Sequence, residues 1–153
     1  MGTETSGDEI IIDEASAGDA GAVYAIGALC FADAWREETV RRDMEGAHSL
    51  YFAARRGGEV LGYACYWFVA DEAQLVNIGV RPEARRQGLA ARLVEAGLAA
   101  ARARGMASMY LEVRVSNTGA QALYRRYGFT VQALRKGVYD LPKEDGYIMA
   151  RPL

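Results

Sequence analysis

Histidine is nearly missing from this chain: His48 is the single one in 153 residues, alongside two cysteines, Cys30 and Cys65, and three prolines. Zinc centres draw their ligands from clustered cysteine and histidine, and disulfide scaffolds need a dense, even set of cysteines. Cys30 and Cys65 lie far apart in separate apolar contexts, so neither a metal site nor a disulfide framework is expected. A histidine-based triad would have to use His48, which sits between Ala47 and Ser49 near a strand start and reads as a loop residue. Long apolar runs are missing too. The longest, Leu61 to Ala70, is too short to span a bilayer, and the polar, acidic start from Met1 to Glu9 does not read as a signal peptide. Nor is there an excess of basic charge. With a net charge of -2 and a pI near 5.5, the chain is not expected to bind nucleic acid or a membrane directly, and any anion must be held by a local feature. Met1-Gly2-Thr3-Glu4-Thr5-Ser6 fits the loose pattern for N-myristoylation, but so short a pattern recurs by chance. The expectation is a cytoplasmic protein, a monomer or weak dimer, with a disordered tail over 1–8 and a single domain over 9–153.

What is present is a globular mixture, half apolar and a quarter charged, with local patterns that alternate between strand and helix. Glu9 to Asp13 reads as a strand, and Gly18-Asp19 opens a helix carrying Val23, Ile26, Leu29 and Cys30 on one face. A second, charged helix is expected over Glu37 to Met44. Ser49 to Arg55 and Glu59 to Val69, joined by Arg56-Gly57-Gly58, form a hairpin, and Ala73 to Val80 adds a third strand. A long helix beginning near Gly88 is marked by Leu89, Leu93, Ala96 and Ala100. Met109, Leu111 and Val113 then alternate with Tyr110, Glu112 and Arg114 along another strand. Asn117 can cap a helix bearing Ala120, Leu123, Tyr124 and Tyr127, which Gly128 ends. Final strands are expected over Phe129 to Leu134 and Tyr147 to Arg151, with a looser connection at Arg135 to Tyr139. This order gives an α/β (α+β mixed sheet) single domain, mostly antiparallel, of six to seven strands and about four helices. One right-handed parallel crossover is expected around the glycine turn.

That turn, Arg85-Arg86-Gln87-Gly88-Leu89-Ala90, is where the chemistry collects. The first backbone N–H groups of a helix have no intrahelical acceptor, and the peptide dipoles converge there as roughly half a positive charge. Two arginines at such an end oppose the dipole unless an anion is present. Strand, basic glycine turn and helix start together make a place for phosphate.

Arg85, Gly88 and Ala90 satisfy the acetyl-CoA signature of the GCN5-related N-acetyltransferase (GNAT) family, which this chain resembles. Leu111 to Asn117, Ala122-Leu123-Tyr124 and Tyr127-Gly128-Phe129 resemble the bacterial ribosomal-protein alanine acetyltransferase branch of that family. Asn77-Ile78-Gly79-Val80, Cys30-Phe31 with Trp35, and Ile148-Met149-Ala150 match it as well. The resemblance implies acetyl-CoA as co-substrate and no metal. It implies that Ile78, Gly79 and Val80 pair with the pantetheine arm, and that Arg86, Gln87, Gly88, Leu89, Ala90 and Ala91 cradle the pyrophosphate, with Asn117 further along. It places the proton acceptor on Glu112 and the proton donor on Tyr124. A backbone N–H at Val80, where its strand parts from a neighbour, would stabilise the oxyanion.

By pattern alone Glu112 is a solvated strand residue and Tyr124 a core aromatic; the family resemblance is what gives them roles. It also puts Trp35 and Tyr139 beside the peptide's entry path. Related enzymes carry two consecutive tyrosines there, and Val138 replaces the first. The acceptor implied is a protein N-terminal α-amine, foremost the N-terminal alanine of a small-subunit ribosomal protein. A small-molecule amine or a lysine side chain is the alternative acceptor, and a non-catalytic acyl-CoA-binding protein is the reading from another class.

Overall fold

A computed structural model describes residues 9–153. The expected tail, 1–8, and its myristoylation pattern lie outside the described residues. Among the described residues, seven strands form one sheet in the order β1-β2-β3-β4-β5-β7-β6. They are β1 (Ile10–Glu14), β2 (Ser49–Arg56), β3 (Glu59–Val69), β4 (Glu72–Val80), β5 (Ser108–Arg114), β6 (Thr130–Asp140) and β7 (Lys143–Pro152). Four helices accompany them: α1 (Ala20–Cys30), α2 (Glu37–Met44), α3 (Leu89–Ala103) and α4 (Thr118–Arg126). Every neighbouring pair is antiparallel except β4 and β5, which α3 joins as a parallel crossover.

Helices cover both faces. On one side Leu89, Leu93, Val94 and Leu98 of α3 and Tyr124 of α4 pack on Tyr66, Leu75, Met109, Leu111 and Met149 from the sheet. On the other, Val23 and Ile26 of α1 and Val40 of α2 pack on Tyr51, Tyr63 and Cys65. β3 is therefore buried on both faces for most of its length, and its residues Val60 to Tyr66 are apolar almost without a break. α2 carries Glu37 and Glu38 in its first turn, paired with Arg41 and Arg42 one turn on. That is the solvated helix face its charge pattern implies.

Leu29, expected with Val23 and Ile26 on one face of α1, is instead exposed, and two further readings of the sequence change. The buried face of α3 runs through Val94, Gly97, Leu98 and Ala101, with Ala96 and Ala100 only at its flank. The reason is Tyr66: its ring lies against the helix backbone at Gly97, where an added Cβ would come within 1.9 Å of the ring, and its hydroxyl donates to the Leu93 carbonyl at 2.8 Å. The second change is at Arg135 to Tyr139, which belongs to β6 rather than to a loose connection. Lys136 to Val138 bulge out opposite Asp145, whose carboxylate accepts the Gly137 N–H at 2.7 Å, so the hairpin continues while the alternation is lost.

Gly97→Ala drives a methyl group into a ring that is held at both ends, and overpacking of this kind costs about 3 kcal/mol. Urea unfolding of the variant should show a loss of that size, and an unchanged midpoint would mean that Tyr66 can move aside.

Candidate active site

β4 and β5 pair only from Glu72 to Leu75 against Ser108 to Leu111. Beyond that β5 stays with β7 as far as Arg114 opposite Gly146, and β4 stays with β3 as far as Val80 opposite Gly62. Val76 is an extra residue in β4, because Leu75 faces Tyr66 while Asn77 faces Cys65. Such a bulge bends its strand and increases the twist. Here it turns β4 away from β5 and changes the side-chain parity, so that Ile78 and Val80 share the core that Leu75 faces. The parting therefore comes after Leu75 and not at Val80, as the sequence had implied. The wedge between the strands opens a cleft of about 1120 Å³.

Backbone groups line its β4 side. The Arg81 N–H is spent on the Leu61 carbonyl of β3 at 2.8 Å. Alternation along the strand then turns the main-chain groups of Val80 and Ile78 the other way, toward the cleft. Ile78 is the first such residue past the bulge. At the α3 end, Gly88 caps the helix with φ of 74°, a left-handed conformation that favours glycine, and nothing lies within 4 Å of where its Cβ would be. Arg86 also has a positive φ, 66°, which costs a side-chain-bearing residue about 1 kcal/mol. The turn is thus held in a shape that opens its N–H groups to the cleft.

The side chains of the turn divide. Arg85 is tied down: its Nε donates to the Val80 carbonyl at 3.2 Å and its Nη2 reaches Cys30 Sγ at 3.6 Å. Arg86 lines the cleft and, among the described residues, makes no ion pair. Gln87 is outside the lining; its amide accepts from Arg56 and donates to the Ala84 carbonyl. Gly88, Leu89, Ala90 and Ala91 all border the cleft, as do Ile78, Gly79, Val80 and Asn117. A wedge with a row of main-chain groups on one wall and a basic helix start at its end fits an acyl-CoA: the amides of pantetheine against β4, the pyrophosphate at α3.

Across the cleft, β5 alternates as its sequence implies, with Met109, Leu111 and Val113 buried and Glu112 and Arg114 on the other face. Glu112 accepts from Arg135 of β6 at 3.0 Å. Tyr124 is 6 % exposed, its ring edge-on to Phe129, and it borders the cleft. Burial, and secondarily the nearby Tyr139 phenol, push the Tyr124 hydroxyl above its ordinary range, so it keeps its proton at neutral pH. Asn117 caps α4 by accepting the Ala120 N–H at 3.2 Å. The buried Gln121, which the sequence reading passed over, donates to the carbonyls of Arg114 and Val115, both at 3.0 Å, and so fixes α4, with Tyr124, to the end of β5. A lone glutamine beside an apolar helical stripe was the available signal.

Trp35 and Tyr139 also line the cleft. Trp35 stacks on Trp67 at 6.1 Å, and the Trp67 indole N–H donates to Asp43, which also accepts from Tyr51 at 2.6 Å and Ser49 at 3.0 Å. The indole is at once packed and part of the cleft wall. Tyr139 lies under the Arg114 guanidinium, 4.3 Å from it. Its phenol is pushed up to about 12 by burial first and by the Glu112 charge second, with Arg114 pulling the other way.

A splayed mixed sheet with this cradle defines an acyl-CoA-dependent acyltransferase. The sequence profile of the Acetyltransferase (GNAT) family matches residues 21–129, and the chain belongs to that family as an acetyl-CoA-dependent N-acetyltransferase. It is 37 % identical over 137 residues to the [Ribosomal protein bS18]-alanine N-acetyltransferase of Escherichia coli, covering 88 % of this chain and 92 % of that protein. It is 34 % identical over 128 residues to a putative enzyme of the same description from Bacillus subtilis, covering 83 % and 85 %. The crystal structure of the Escherichia coli ribosomal-protein-S18-alanine N-acetyltransferase superposes with a TM-score of 0.88 at 36 % identity, covering 94 % of each chain.

Arg86→Ala removes an untied cation from the cradle and should weaken acetyl-CoA binding about tenfold by calorimetry. Unchanged affinity would remove Arg86 from the phosphate site.

Proposed function

We propose that this enzyme acetylates the N-terminal α-amine of a protein, foremost an N-terminal alanine of a small-subunit ribosomal protein, in the cytoplasm. The observation that carries this reading is that one cleft is lined at once by the phosphate-suited helix start, by Glu112 and Tyr124, and by the aromatic pair Trp35 and Tyr139. The relatives described as acting on ribosomal protein bS18 support the choice of acceptor.

The chemistry follows from what each group can hold. An α-ammonium has a pKa of roughly 8, so it loses its proton readily near neutrality, and Glu112, directly or through a water, receives that proton. The neutral nitrogen attacks the thioester carbon in a ternary complex. The developing oxyanion takes a hydrogen bond from the Ile78 N–H, the first cleft-facing donor past the bulge. As the new C–N bond forms and the C–S bond breaks, the nitrogen gives up its second proton to Glu112, which has passed the first to solvent. The departing thiolate takes the Tyr124 proton, which solvent then restores. A thiol has a pKa of roughly 8.5, below that of a phenol, so Tyr124, held above its usual range, gives up its proton only in concert with C–S cleavage, as charge builds on the sulfur. Arg135 holds the Glu112 carboxylate from β6 at 3.0 Å.

Mass spectrometry of peptides incubated with acetyl-CoA should show one acetyl group on the α-amine of an alanine-starting peptide. Glu112→Gln should slow this about a hundredfold at neutral pH with CoA affinity nearly intact. Equal modification of an N-terminally blocked lysine peptide would favour the side-chain amine instead, and CoA binding without turnover on any amine would favour the binding-only reading. Because burial raises the Tyr124 hydroxyl, kcat/KM should climb toward about pH 8 as the amine loses its proton and hold level to about pH 10. A fall between pH 8 and 9 would contradict Tyr124 as the proton donor.

A further inference from the structure

Arg114 stands two residues beyond Glu112 on the same face of β5, and the hydrogen bonds its guanidinium donates all run one way. Nη1 donates to the Pro142 carbonyl at 2.9 Å and to Glu144 Oε1 at 3.1 Å, and Nη2 donates to the Leu141 carbonyl at 3.0 Å. The same guanidinium lies over the Tyr139 ring at 4.3 Å. All four partners belong to the tip of the β6–β7 hairpin, and Tyr139, Leu141 and Pro142 border the cleft. Glu144 is held in turn, its second oxygen accepting the Ser116 N–H at 2.7 Å. The Arg114 carbonyl, meanwhile, accepts from Gln121 at 3.0 Å and from the Asn117 N–H at 3.0 Å. One residue thus grips the hairpin tip with its side chain and the start of α4 with its main chain.

The sheet makes room for this grip at one place. Gly146 of β7 lies between Arg114 of β5 and Arg135 of β6. A Cβ there would come within 2.8 Å of the Tyr139 ring and 2.9 Å of Val138. The ring of Tyr139 crosses β7 above the glycine to reach the guanidinium. A lysine could not replace Arg114 here, since an ammonium is a point charge that neither stacks on a ring nor forks between two carbonyls.

We propose that Arg114 is a positioning residue for the acceptor: by stacking on Tyr139 and bonding the carbonyls of Leu141 and Pro142, it fixes the hairpin tip as the wall against which the acceptor's peptide chain lies. This rests on the reading that the acceptor is a protein N-terminus. With Val138 where related enzymes carry a first tyrosine, the orientation of Tyr139 matters more. Arg114 itself borders the cleft, but its guanidinium is committed to the hairpin, so it acts through Tyr139 and the tip.

Steady-state kinetics with an alanine-starting peptide and acetyl-CoA varied independently test this. Arg114→Met should raise the peptide KM about tenfold while the acetyl-CoA KM stays within about twofold, and Arg114→Lys should resemble Arg114→Met rather than the unaltered enzyme. Gly146→Ala leaves Arg114 in place but displaces the ring, so it should move the peptide KM in the same direction, and it serves if Arg114→Met folds poorly. Combined with Tyr139→Ala, Arg114→Met should cost less than the two single losses together. A peptide KM unchanged in both Arg114→Met and Gly146→Ala, or both substrates' KM rising together, would overturn the inference while the peptide acceptor stands. If the unaltered protein acetylates no peptide α-amine, the acceptor reading falls and this inference with it.

Discussion

The whole site depends on how soon two parallel strands stop pairing. β4 and β5 hold one another only between Glu72 and Leu75, and the bulge at Val76 then bends β4 toward β3 and away from β5. A sheet that remained closed would have satisfied the main-chain groups of Ile78 and Val80 within itself. Because it opens, the main-chain groups of Ile78 and the Val80 N–H are left for a ligand that brings its own amides, while the Val80 carbonyl is taken by Arg85. The same opening lets the α3 N-terminus and its left-handed residues Arg86 and Gly88 face the wedge, so one bend supplies both the strand-like wall and the anion cradle.

The two sides of the cleft are built by different means. On the donor side the fold offers backbone: strand edge, helix start and a glycine turn. On the acceptor side it offers side chains locked by second partners. Tyr124 rides on α4, which Gln121 ties to the end of β5. Trp35 rests on Trp67, which Asp43 holds from beneath. Tyr139 is pressed against Arg114 over the gap that Gly146 leaves. Locked side chains suit positioning of two reactants, since the gain from proximity is lost when the reacting atoms are misplaced by about 1 Å.

Much of this was legible in the sequence because the relevant signals are local. α2, β3 and the hairpin turn at Gly57-Gly58 follow their patterns, and the Arg85 to Ala90 turn stands between a strand and a helix as its chemistry requires. What could not be read depends on pairs distant in the chain. The insertion of β7 between β5 and β6 leaves the same alternation as any other order would. The notch at Gly97 needs Tyr66 on another strand, and the bulge of β6 opposite Asp145 looks, in one dimension, like a loop. Arg85 and Arg86 are chemically equivalent in sequence and both border the cleft, yet Arg85 is tied to Val80 and Cys30 while Arg86, among the described residues, makes no ion pair. Glu112 and Tyr124 needed the family resemblance, since an alternating strand and an amphipathic helix place such residues routinely.

The claim beneath all of this is that the unpaired edge of β4 receives the pantetheine arm. Amide hydrogen exchange, resolved by residue with and without acetyl-CoA, tests it directly. The account predicts that Ile78, Val80 and the first-turn amides of α3 become protected on binding, while the Arg81 amide, already bonded to Leu61, changes little. Protection confined to α3, with Ile78 and Val80 exchanging as fast as before, would contradict it.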